Sequence, residues 1–508
     1  MAVFEFRVPA SAIAVLLTTT AAHAELTAKQ VWDSWKAQMG IYGESGISIG
    51  GESLVDGVLT VSGLTLQTTN DTGDMTGDLG DMIFTELGDG TVEVTMAESM
   101  TFAVNSETGM GAATAMNVTV TQADMSIVAS GTPEAIEYEV SATRYAILVG
   151  DLVTNGQPTD GSFMFGLNDL GGTYSTTGTD DLMAVIYAMD AGSMDMLIDM
   201  IDPESGNDIN ITGTLQDLSM TADAEIPLAA MAAAGDSPDP AFPPGLSVDA
   251  GYSFGPSNYV VNVVEDGIAT AATADIAAGE FDVVLNEGAV EVAMSTTGLN
   301  LTMTVPMLPV PVTVSLAGYG ASLAMPMAAD AAPQDFGMAL NLTDLMVSDD
   351  LWAMLDPGVI LPRDPASVVL DVSGTMMVLS NLMDPAAQAE MAATGAPPAL
   401  PVTVDLNELL VRFGGAEITG SGAFTFDATD TTTYAGTPLP IGSIDLAING
   451  ANGLMDKLVL MGLIPEDQVM MGKMMLGMFA VPAGDDMLTS TIEFTPDGGI
   501  LANGNQIQ

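Results

Sequence analysis

The chain has no cysteine in 508 residues and a single histidine, His23. Without cysteine there is no disulfide framework, no thiol nucleophile and no thiolate metal site. Beyond His23 no Ser-His-Asp or Cys-His arrangement is available, nor a zinc site built on histidine. Basic residues are nearly as scarce, 8 Lys and Arg against 66 Asp and Glu, and the formal charge is −58. Charged residues total 15%, below the roughly 25% of an average domain, so the chain is depleted of bases rather than loaded with acids. Lys29, Lys36, Arg144, Arg363, Arg412, Lys457 and Lys473 are too scattered to build a phosphate-binding stripe. That excludes nucleic acid as a partner and disfavours docking on anionic headgroups. A ligand should therefore be apolar, neutral or cationic. Aromatics are 5%, with three tryptophans, a poor platform for sugar rings. At 48% hydrophobic the chain is that of a folded protein and not an acidic disordered one. Adaptation to a salty medium and simple anionic solubility both account for the charge.

Residues 1–24 read as a secretory signal peptide. Arg7 and the amino terminus make a weak basic region, Val8 to Leu17 a short apolar run, and Ala22 and Ala24 the small residues before a cut ahead of Glu25. A membrane span needs roughly 18 or more apolar residues. The expected location is the periplasm, as a soluble exported protein with no transmembrane segment after cleavage. The remaining chain is long enough for two or three domains.

Thr27 and Gln30 form a capping box at the start of LTAKQVWDSWKAQM, with Leu26 and Val31 as its hydrophobic staple. Val31, Trp32, Trp35 and Met39 share one face of that helix. Beyond it the dominant signal has period two. Met116, Val118 and Val120 alternate with Asn117, Thr119 and Thr121, and Ile444, Leu446 and Ile448 repeat the pattern. Leu488, Ser490, Ile492 and Phe494 share another such face. Short alternating runs between Gly, Asp, Asn and Pro turns predict antiparallel sheet with one face buried and one wet. The expected fold class is mainly β (α+β): antiparallel curved sheets with a few packed helices. Three helical interruptions are expected: a long or broken helix over Asp181 to Asp202, a short one after the Asp384-Pro385 cap, and a hairpin near 454–480 with Pro465 at the first position of its second helix. Two Ala/Pro-rich segments, Met231 to Gly245 and Met391 to Pro401, read as linkers that echo each other. They suggest two related units, an N-terminal one over 25–235 and a C-terminal one over 236–508.

Little chemistry survives. No Gly-rich loop ends in Lys-Ser or Lys-Thr, and no carboxylate pair stands out, so no enzymatic activity and no cofactor are expected. Asp71, Asp74, Asp78 and Asp81 stand in a Gly-rich acidic stretch, a candidate calcium loop or simply a solvated one. Its spacing is not that of an EF-hand. Methionine is abundant, 37 residues, clustered at Met194 and Met196 and in VMMGKMMLGM. Copper(I) ligation, adaptable core filler and a groove for an apolar ligand are the readings of such clusters. Met470, Met474 and Phe479 are the candidate ligand-binding residues.

LTAKQVWDSWKAQM, LIPEDQVMMGKMMLGMFAVP and the ending TSTIEFTPDGGILANGNQIQ together resemble an uncharacterised family of exported proteobacterial proteins, the domain of unknown function twenty-one twenty-five. The ending and VDLNELLVRFGGAEITGSGAFTFD are also similar to AsmA-like envelope proteins. The wider resemblance implies a curved sheet groove with helices beside it and a link to lipid movement or outer-membrane homeostasis. The expected function is non-enzymatic binding of an apolar ligand, lipid or an unfolded outer-membrane polypeptide. The alternative is a structural or adhesion protein of the envelope, stiffened by calcium. A membrane barrel is disfavoured by the lack of an aromatic girdle and by the terminal Gln508.

Overall fold

A computed structural model describes residues 25–41, 46–70, 73–107, 113–154, 156–178, 181–202, 205–235, 242–306, 308–395, 397–434 and 436–507. The expected leader and the middle of the first linker lie outside the described residues, as does Asp71.

Among the described residues the alternation of apolar and polar residues gives a single sheet of 28 strands, antiparallel throughout. Its plan is a meander in which each long strand returns beside the one before it. Tight turns make this possible. Asp56-Gly57, Asp266-Gly267, Gly414-Gly415 and Asn503-Gly504 all have positive φ at both central positions, which matches the right-handed twist of the strands they join. Four of the long strands are broken near their middles, for example Val92–Thr95 from Ser99–Glu107 and Ser247–Phe254 from Ser257–Glu265. The sheet is continuous across residues 235 and 236, because Asp208–Pro227 pairs with both Ser247–Phe254 and Ser257–Glu265.

Among the described residues six helices punctuate the meander: α1 (Ala28–Ile41), α2 (Leu228–Gly235), α3 (Asp349–Leu355), α4 (Pro385–Thr394), α5 (Ala451–Leu460) and α6 (Glu466–Phe479). The capping box of α1 is formed: Thr27 N donates to Gln30 Oε1 at 2.9 Å and Gln30 N donates to Thr27 Oγ1 at 3.3 Å. Its apolar face builds a large core cluster, in which Leu26, Val31 and Trp32 pack with Leu59, Phe84, Val94 and Tyr138. Trp32 Nε1 donates to Glu52 at 2.8 Å and Trp35 Nε1 to the Tyr138 hydroxyl at 3.0 Å. The side chain of Met39 is outside the description. At α4 the Asp384 side chain accepts from Ala386 N with Pro385 behind it, as its sequence dictates. The hairpin near 454–480 is present as α5 and α6, with Pro465 at the N-cap, one position before its expected place. α3, opened by Ser348, was not expected.

One expectation is overturned. Asp181 to Asp202 is no helix: Leu182–Ile201 is a strand paired along its length with Gly161–Gly178 and Asp208–Pro227. Its Met, Ala and Leu residues favour helix intrinsically. The ladders on both sides supply what propensity does not, and the phase of its alternation slips at Gly192, which hides the period.

The sheet folds over little of itself. Side chains as large as Phe165, Tyr252 and Ile186 stay 41–49% exposed on it.

A creased apolar trough as the candidate functional site

The broken strands share a location. Near their midpoints many of the long strands carry an irregular residue, and several of these fall side by side on neighbouring strands. Asp124, Asp169, Asp217 and Asp344 adopt φ of 52–53°, while Gly63, Gly80 and Gly298 adopt 62–72°. Asp and Gly are the residues that enter this left-handed region at least expense. Opposite them stand small residues. A Cβ on Gly192 would lie 3.3 Å from that of Asp169, and one on Gly255 3.3 Å from that of Asp217. Side chains bridge the line as well: Asp81 Oδ1 accepts from Gly63 N at 3.0 Å, Gln122 Nε2 donates to Ala97 O at 2.7 Å, and Asp344 N donates to Ser367 Oγ at 3.0 Å. Irregularities of this kind bend a strand sharply. Aligned from strand to strand, they crease the sheet.

The crease also switches which residues share a face. Phe163, Phe165 and Leu167 precede Asp169, and Leu170, Gly172 and Tyr174 follow it. Odd positions give way to even ones, so the apolar side chains stay on one side of the sheet. Burial shows the direction of the fold. Leu215 and Leu218 flank Asp217 and are 7% and 8% exposed. Ala191 beside Gly192 and Leu316 beside Ala317 are buried too. In the middle of the sheet, residues farther from the crease on the same side, such as Tyr252, Met294 and Leu340, are open. The apolar face is therefore the inside of a trough, with the crease as its floor.

Register extends this face along the whole sheet. One row of directly paired residues begins with Leu59, Phe84, Val94, Ile127 and Val140. It continues through Met189, Met220, Tyr252, Phe281 and Met294. It ends through Leu340, Leu370, Leu409 and Leu446 at Ser490. At about 4.8 Å per strand, a row of this length spans roughly 85 Å. Beyond the crease a second row holds Val118, Val149, Phe163, Ile198 and Val261. The small residues Gly172, Ala321 and Gly420 complete the first row between these apolar side chains, and exposure changes along it. Leu59 is 1% and Phe84 0% exposed beneath α1, whereas Tyr252 is 46%, Met294 41% and Leu340 38% exposed. At the far end Ser490 is buried again, its hydroxyl donating to Phe479 O at the end of α6 at 2.5 Å. Asp486 ties the hairpin down: its carboxylate accepts from Asn452 N at 3.1 Å and Gly453 N at 2.8 Å. Burial works to raise the Asp486 pKa, but these donors outweigh it and hold the carboxyl below its usual range. Helices thus cover both ends of the trough and leave its middle open.

The opposite face is polar. A depression of about 600 Å³ there has Glu291, Asp335, Asp371 and Asp405 around a floor that includes Gly337 and Ser373. Asp371 accepts from Asn407 Nδ2 at 3.0 Å.

The residues singled out from sequence fall elsewhere. Asp74, Asp78 and Asp81 are on a strand, Gly73–Glu86, and not in a loop. Strand pairing holds them in line, with Asp74 and Asp78 about 13 Å apart. Each has its own partner, respectively Asn105 Nδ2, Gly80 N and Gly63 N. Among the described residues no three His, Cys, Asp or Glu side chains are grouped to hold a metal ion. Met470 and Met474 are 69% and 63% exposed on the outer side of α6, and Phe479 is half-buried where α6 meets the sheet. None of the three lies in the open middle of the trough. The row that does was readable only in fragments, because the phase slip at each crease residue breaks the alternation into short pieces.

The architecture defines a creased antiparallel sheet with an apolar interior and helices at its ends. Residues 259–500 match the model of a family described as an uncharacterized protein conserved in bacteria (DUF2125), so the family resemblance of the sequence holds over this C-terminal part. That stretch contains the Leu463 to Pro482 passage but not the α1 sequence. No curated protein and no solved structure matches the chain. Among the described residues no helix is long and apolar enough to cross a membrane.

Proposed function

We propose that the protein is a non-enzymatic carrier of an apolar ligand, exported to the periplasm. The ligand is lipid, or the apolar side chains of an unfolded outer-membrane polypeptide, held in the trough. One observation carries this reading: the same apolar row that is buried beneath α1 continues uncovered through Tyr252, Met294 and Leu340. Monomeric proteins rarely leave apolar faces of this extent open without a use for them. A ligand that buries roughly 400 Å² of this face gains about 10 kcal/mol gross, much of which the loss of its own freedom offsets. Methionines at Met189, Met220 and Met294 suit a surface that adapts to ligands of varied shape. The second reading, a structural or adhesion protein of the envelope, draws on the long antiparallel sheet; among the described residues no group of three carboxylates stands ready to hold calcium.

The test is mass spectrometry of organic extracts from protein purified without detergent. A single lipid class at near one to a few copies per chain supports a carrier. A protein that is empty, and stays empty after mixing with envelope lipids, contradicts it. A melting temperature that rises with calcium and falls with chelator would favour the second reading.

A further inference from the structure

α6 presents its apolar side outward. It packs inward through Val469, which is buried, through Gly472, where an added Cβ would lie 3.4 Å from Met455 Sδ, and through Lys473, whose Nζ reaches Asp456 Oδ1 at 2.6 Å. The outward positions are Met470, Met474 and Met478 in one column and Met471 and Met475 in the next. All five are more than half exposed, above every other methionine on the exposed side chains of the described residues. A surface helix ordinarily carries polar residues on this side. If apolarity alone were needed, leucine would supply it equally well, and leucine does occupy the adjoining Leu460 and Leu463. What sets methionine apart from leucine is the thioether sulfur, nucleophilic and unprotonated.

We propose that the outward face of α6 is a site of reversible oxidative modification, taking peroxide-class oxidants. A sulfur lone pair attacks one oxygen of hydrogen peroxide. The S–O bond forms as the O–O bond breaks, and the departing hydroxide takes up the proton to leave as water. Sulfur is oxidised by two electrons and peroxide is reduced. The product sulfoxide is polar, and sulfoxide reductases return it to the thioether. Because Val469 and Ala480 anchor the inner side of α6 and are buried, the outer side changes from apolar to polar without opening the fold.

The test is limiting hydrogen peroxide on the full chain, followed by peptide mapping over time. Met470, Met471, Met474, Met475 and Met478 are expected to form sulfoxides about tenfold faster than Met183, since susceptibility follows exposure. Met183 is 8% exposed. Circular dichroism should not change through that phase. A variant with all five replaced by leucine should lose the fast phase of oxidant consumption while keeping its melting temperature. The proposal is overturned if Met183 reacts in the same phase as the α6 methionines, if those five are protected, or if the leucine variant keeps the fast phase.

Discussion

At the crease single residues are under the tightest constraint. Gly298 has φ of 65°, and a Cβ there would come within 2.7 Å of the Ala277 Cβ. Gly298→Val should lower stability by about 2–4 kcal/mol, combining backbone strain with a clash that neighbouring strands cannot relieve. Urea denaturation measures it. Asp217, at φ 52°, should tolerate Asp217→Gly within about 0.5 kcal/mol, because glycine enters this region freely. Asp217→Val should lose about 1–2 kcal/mol. These residues were visible in the sequence as turn formers, and their Asp and Gly chemistry reads as punctuation between strands. That they sit inside strands follows from pairing partners dozens of residues away, which local pattern does not report.

Among the elements, α1 was legible because its signals are local: Thr27 and Gln30 for the cap, Val31 and Trp32 for the buried face. Trp32→Ala should lower stability by about 3–5 kcal/mol, since the side chain is fully buried against Phe84. The strand Leu182–Ile201 hides from local pattern for the opposite reason: a long-range ladder overrides the helix preference of its Met, Ala and Leu residues. The α5–α6 hairpin was legible in place but not in purpose. Its attachment depends on Asp486, whose pKa is lowered in the folded state. A carboxyl of this kind adds stability above its unfolded value of about 3.9 and loses it as pH falls through the folded pKa. The hairpin should therefore loosen on acidification below about pH 4, seen as faster amide exchange in α5. Asp486→Asn should lower stability by about 1 kcal/mol at neutral pH and flatten that acid dependence.

On the scale of the whole molecule, the charge of −58 opposes closure of so extended a sheet, and added salt should raise the melting temperature by screening that repulsion. The fold class was legible because period two dominates the chain. The trough was not: its apolar rows exist only once some eighty-five ångströms of consecutive hairpins are in register, about 4.8 Å at a time. The apolar face is the inside of the sheet, and the proposed ligand lies there. Leu340 and Ala339 are adjacent on one strand and point to opposite faces, Leu340 into the apolar row beside Leu370 and Ala339 beside Asp371. The decisive measurement is the affinity of a fluorescent fatty-acid analogue for Leu340→Asp and Ala339→Asp, each checked for an unchanged fold. Leu340→Asp should weaken binding at least about tenfold, a difference of about 1.4 kcal/mol, while Ala339→Asp leaves it as in the native protein. Equal affinity in the two variants, or a loss confined to Ala339→Asp, would contradict the account.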